Sequence, residues 1–181
     1  MKIDIKALIH RLEQVSQAVK KEFSDINAVQ LNWKENPDTW SIGECLEHLM
    51  ITNKLYFKQF DQVLNHQQKT FWERLPFLAN FFGGMLLKSL TPKPTHKIKA
   101  PSIFKPSQSK VSPRIVQDFI QHNQKVIEYF QQLQLKNPQT IITSPAASFV
   151  TLRLGTAMQI LTNHEERHLF QAQQIKENYT H

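Results

Sequence analysis

Cysteine is almost missing from this chain. Cys45 is the only one in 181 residues, so no disulfide can close within it, and a reducing compartment is the natural setting. Glycine is scarce too, at four residues, whereas an all-β chain spends glycine on its turns. No apolar run is long enough to span a bilayer. The longest, Leu75 to Leu90, is broken by Asn80 and by Gly83-Gly84 and falls short of the roughly 20 residues a span needs. In Met1-Lys2-Ile3-Asp4-Ile5-Lys6 charges interrupt the apolar residues, so no signal-peptide pattern is present and a cytoplasmic protein is expected. Acidic residues are absent from Leu75 to Gln117. That segment holds Lys88, Lys93, Lys97, Lys99, Lys105, Lys110 and Arg114, which account for the whole net charge of +7.

What is present points to helices. The chain is 40% hydrophobic, enough for one domain over residues 1–181 with a real core. Ile5, Leu8, Leu12, Val15, Val19, Phe23 and Ile26 step by three and four, which predicts a first helix over about residues 4–30. Asn36-Pro37-Asp38 breaks the pattern. Ser41 and Glu44 then form a capping box that opens a second helix running to about Asn65, with Trp40 placed to pack before the cap. Its apolar side is Ile42, Leu46, Leu49, Asn53, Tyr56, Phe60 and Val63.

Pro76, Pro92, Pro94, Pro101 and Pro106 make residues 68–111 an irregular connection, with a short apolar helix around Leu75 to Leu90. A connection that long suggests a crossover between helices that are not hairpin neighbours. A third helix is expected after Ser112-Pro113, as N-cap and N1, ending at Asn137-Pro138. A loop through Ser144-Pro145 leads to a fourth, about Leu152 to Asn178. No repeat or low-complexity tract is found.

The fourth helix carries the main chemical signal. Leu154, Ala157, Leu161, His164, His168, Gln171 and Ile175 share one face, so two imidazoles sit at core positions where they must be paired or bound. Four residues apart, they stand one turn from each other and can share one ion. The plain alternative is two core histidines hydrogen-bonded to neighbours. His48 lies beside the second helix's apolar stripe, flanked by Cys45 and Thr52, and gains weight because a metal on the fourth helix needs a ligand from elsewhere. Three protein ligands leave a position open for water or substrate.

His164-Glu165-Glu166-Arg167-His168 also matches H-E-x-x-H, with Glu165 as general base. That peptidase reading fails, because only thirteen residues follow His168 and Gln171 and Gln174 stand where a metzincin needs Gly and His.

Trp40-Ser41-Ile42-Gly43-Glu44-Cys45-Leu46-Glu47-His48-Leu49 resembles the second-helix motif of the DinB-like (DinB/YfiT-like) family, and His164 through Gln171 resembles its fourth-helix motif. The Pro-rich stretch from Lys99-Ala100-Pro101 to Phe104-Lys105-Pro106 is also similar to members of that group. The resemblance implies an all-α, up-down-down-up four-helix bundle with a long, Pro-rich connection between helices 2 and 3. It also implies a Zn or Ni site on His48, His164 and His168. Several members of the family use low-molecular-weight thiols as cosubstrates.

An open three-histidine site can acidify water or bind a thiol as thiolate. The expectation is therefore a metal-dependent thiol S-transferase acting on a small molecule, with a metal-dependent hydrolase as the alternative. Glu44, Cys45, Thr52, Glu165 and Gln171 are candidate supporting residues around the ligands. Glu44 reads first as a capping residue and Cys45 as a small packed one. Glu165 lies about 100° round the helix from His164 and is expected to face solvent or the second helix. Gln171, on the inner stripe, has two readings: it touches the site, or it is a buried amide satisfied by backbone. His122, next to the third helix's stripe, is only a remote candidate for a fourth ligand; His10, His66, His96 and His181 read as surface residues.

A second class is a non-enzymatic binding or stress-response module. Phe77, Leu78, Phe81, Phe82, Met85, Leu86 and Leu87 beside a basic flank suit an anionic membrane or a protein partner. The competing reading has them cover the bundle or a homodimer interface. Nucleic-acid binding is not expected, since the lysines lie in a Pro-rich connection with few interleaved aromatics and no recognition motif.

Overall fold

The computed structural model describes residues 3–67, 70–91, 101–106 and 110–180. Pro92, Lys93, Pro94, His96, Lys97, Lys99, Ala100 and His181 lie outside the described residues. The structure is mostly helical: α1 (Ile5–Phe23), α2 (Ala28–Asn32), α3 (Ile42–Leu64), α4 (Pro76–Ser89), α5 (Ile115–Leu133) and α6 (Leu154–Thr180). Two 3₁₀ turns, Trp72–Arg74 and Ser102–Phe104, and a two-stranded antiparallel ribbon, β1 (Ile141–Thr143) and β2 (Thr151–Arg153), complete it.

α1 starts where Asp4 accepts from the Ala7 N–H, and it buries Leu8, Leu12, Val15, Val19 and Phe23. It ends at Phe23 rather than near residue 30. The Asn27 side chain accepts from the Val29 and Gln30 N–H groups while Gln30 bonds back to the Asn27 N–H, so a new capping box restarts the chain as α2. The box expected at the head of α3 is present: Glu44 N–H to Ser41 Oγ at 3.2 Å and Ser41 N–H to Glu44 Oε2 at 2.8 Å.

α5 begins two residues later than expected, because Ser112 spends its groups on a turn, accepting from Arg114 N–H and Ile115 N–H. It also ends earlier, at Leu133, and Asn137 instead shapes a turn that closes on Thr140 N–H. The ribbon replaces an expected loop; three-residue strands are too short to show an alternating pattern. It matters to α6, whose first N–H groups are taken by turn carbonyls: Leu154 by Thr140 and Gly155 by Pro138. A Cβ on Gly155 would lie 2.8 Å from Ile3 Cδ1 and 3.2 Å from Pro138 Cβ, so a side chain there would have to push both neighbours aside.

α1 and α3 each pack against both α5 and α6. One core cluster gathers Leu12, Tyr56, Phe60, Val126, Phe130, Leu154 and Leu161. A second gathers Val19, Phe23, Leu31, Ile42, Leu46, Leu49, Phe119 and Ala172. Phe23, Phe60, Phe119 and Phe130 are fully buried, each contributing about 1.5–3 kcal/mol. α4 lies outside these helices, against β2 and α6.

Candidate metal centre

The apolar stripe of α3 turns His48 inward, and that of α6 does the same for His164 and His168. All three rings are buried, and one ring nitrogen from each lies within 4.8 Å of the other two. Ring centroids are 4.9 Å apart for His48–His164, 4.6 Å for His48–His168 and 4.6 Å for His164–His168. Among the described residues no other His, Cys, Asp or Glu joins this group.

Hydrogen bonds fix which nitrogens face the centre. The His48 Nδ1 is bonded to the Phe104 carbonyl, an acceptor only, so Nδ1 carries the proton and Nε2 presents a lone pair. His168 Nδ1 donates to Gln171 Oε1 at 2.9 Å, leaving its Nε2 bare by the same logic. His164 Nε2 stands 3.0 Å from His48 Nε2, while its buried Nδ1 has no hydrogen-bond partner among the described residues.

Burial is the largest cause holding all three imidazoles below their ordinary range. It outweighs the Phe104 bond at His48. At His164 the neighbouring His168, His48 and Arg167 add to it and push the ring well down. His168 is pushed down to about 3 by burial and by His48, against the Gln171 bond. Neutral rings are the ligating form.

The donor set fits a divalent cation. Zn–N bonds of about 2.0–2.1 Å in a tetrahedron place nitrogens roughly 3.3 Å apart, close to the His48–His164 spacing. Lone pairs converging in a buried space repel unless a proton or a cation lies between them, and a single proton serves only one pair. Carbonyl and amide oxygens behind two of the rings set tautomer and orientation, as metal-binding histidines require.

Trp40, expected to pack beside the helix cap, also lies against the site. Its ring centroid is 4.6 Å from that of His48 and 5.5 Å from that of His168. Gln171 does touch the site, through His168. Of the two sides expected for Glu165, solvent or the second helix, the structure shows the second helix, α3. Glu165 is fully buried and accepts from Asn53 of α3 at 2.7 Å, and burial pushes its carboxyl up to about 8 against the pull of that bond. Glu44 is committed to its capping box and to Lys34 at 2.8 Å. Cys45 packs in the second core cluster, where burial pushes its thiol up, so it is a packing residue and no nucleophile. Thr52 is buried and its Oγ1 has no hydrogen-bond partner among the described residues. His122 is not brought to the centre; it stacks on Phe57 at 5.3 Å in a groove between α3 and α5. His10 and His66 are exposed.

Sequence reasoning passed over Asn53 and the Phe104 carbonyl. Asn53 had a signal, being an amide in an otherwise apolar stripe. A backbone carbonyl 56 residues from His48 had none.

No curated protein and no solved structure matches the chain. A family model does, and it spans residues 11–172, from α1 through most of α6. On that match, taken with helices that bring the three histidines together, the chain belongs to the DinB superfamily.

Proposed function

We propose that this chain is a one-domain metalloprotein with an up-down-down-up four-helix bundle. It binds one divalent ion, Zn or Ni, through His48, His164 and His168, and transfers a low-molecular-weight thiol to a small-molecule electrophile in the cytoplasm. The observation that carries the reading is the convergence of three buried, neutral imidazoles, two of them oriented by hydrogen bonds behind the ring. When bound, such a metal supplies Lewis acidity that lowers the pKa of a thiol or a water in its open position.

The chain's own residues do the rest. Phe104 and Gln171 hold two rings in the ligating tautomer. Trp40 packs its ring against His48 and His168 and helps to hold both in place. Glu165 and Asn53 form a buried polar pair on the turns next to the ligands. Cys45 takes no part, which leaves the nucleophile to a cosubstrate.

Elemental analysis of untagged protein tests the metal reading: about one equivalent is expected in the wild type and a large loss in His48→Ala and His168→Ala. Equal metal content in all three proteins would sink it. The thiol reading is tested separately with metal-loaded protein, an electrophile and glutathione, bacillithiol or mycothiol in turn. No turnover with any of them removes the transferase, and ester or amide cleavage without thiol would assign a hydrolase.

A further inference from the structure

A helix that is apolar round most of its circumference belongs in an interior, yet α4 is only half covered. Its inner side packs well: Ala79 and Gly83 are buried, and Phe82, Leu86 and Leu87 lie against the core. A Cβ on Gly83 would meet Thr156 Cγ2 at 3.0 Å, so the helix sits tightly on α6. Its outer side carries Phe77, Phe81 and Met85, which remain 64%, 65% and 46% exposed.

Spaced by four, these three form one stripe along the helix. Exposed cations lie at both ends of it, Arg74 in the 3₁₀ turn that precedes α4 and Lys88 one turn after Met85. The nearest preceding acid, Glu73, is buried and bonded to Thr70 N–H and Thr143 Oγ1, and no acidic residue follows until Asp118.

We infer that this face of α4 docks on an anionic lipid surface, with Phe77, Phe81 and Met85 entering the headgroup–acyl boundary and Arg74 and Lys88 against lipid phosphates. Charge complementarity selects this occupant. A two-fold contact with a second copy sets one basic-ended face against another, with no acidic residue of this face to answer Arg74 or Lys88. An anionic leaflet supplies the opposite charge. Fourteen residues make a helix of about 21 Å, too short to cross a bilayer and suited to lying in its surface. No described helix is long and apolar enough to cross a membrane.

Vesicle co-sedimentation at low salt tests the inference with the full-length protein. Wild type is expected to pellet with vesicles of equal parts phosphatidylcholine and phosphatidylglycerol and to stay in solution with phosphatidylcholine alone. Phe77→Ser/Phe81→Ser should weaken binding by roughly tenfold or more. Lys88→Gln should weaken it about fivefold, and added salt should weaken the wild type further. These side chains are exposed, so circular dichroism and Tm should not change. The inference is overturned if wild type ignores the anionic vesicles, or if the double serine variant binds them as well as wild type. A monomer–dimer equilibrium in sedimentation velocity that the same variant abolishes, without vesicle binding, would overturn it in favour of a second copy.

Discussion

Gln171 is the residue whose role can be isolated most cleanly. Its Oε1 accepts from His168 Nδ1, so it sets both the tautomer and the tilt of one ring without touching the ion position. Gln171→Leu keeps the volume and removes the acceptor. Affinity for Zn or Ni should fall about 10–100-fold, measured by competition with a chromophoric chelator, while the far-ultraviolet circular dichroism stays the same. Unchanged affinity would mean that packing alone orients His168. The position was legible in sequence, since it continues the inner stripe of α6. Its bond was not, because a stripe specifies a face and not which atom on that face finds which.

At the scale of elements, the long helices are joined by apolar stripes and by a few polar ties whose loss should be measurable. One of them joins α1 to α6. Arg11 grips Glu166 with two N–H groups, at 2.7 and 2.6 Å, and donates to Asn163 at 2.7 Å. The bond to Glu166 raises the pKa of the guanidinium, so it stays charged throughout. Bidentate, partly buried pairs are the kind that contribute. Arg11→Ala should cost about 1–3 kcal/mol in urea unfolding, and Arg11→Lys should recover only part of that, since an ammonium cannot match the fork. A loss within error would show that solvent replaces the pair. The stripes of α1, α3, α5 and α6 were readable because 3.6-residue periodicity is a local property. The tie between residues 11 and 166 was not, since charges that distant in sequence carry no mark of their pairing.

For the molecule as a whole, His122 gives stability a pH dependence. Burial first, then Lys125 and Lys54, push its pKa down to about 4 from an unfolded value near 6.5. Between those values the unfolded chain binds the proton and the folded one does not. The contribution of this site therefore rises with pH from about 4 to about 6.5 and is lost on acidification through that window. Glu47, Asp61 and Glu128 also line the groove. Comparing wild type with His122→Gln isolates the imidazole: the wild-type stability should fall more steeply with acid in that window, by chemical denaturation at matched pH values. Parallel curves would show that His122 protonates in the folded protein without penalty.

The sequence by itself determined the helical class, the capping box at Ser41 and Glu44, the inward faces of His164 and His168, and the family resemblance. Each follows from spacing along a few turns, which a linear chain displays directly. Only the tertiary structure decided that His48, read only as lying beside its helix's stripe, turns inward, that α1 stops at Phe23, that a ribbon feeds α6, that Glu165 is buried on Asn53, and that His122 stands apart from the centre. Those outcomes depend on which surfaces meet after the chain has folded back on itself, and on which buried polar groups then find partners. Neither quantity is a property of any single stretch of residues.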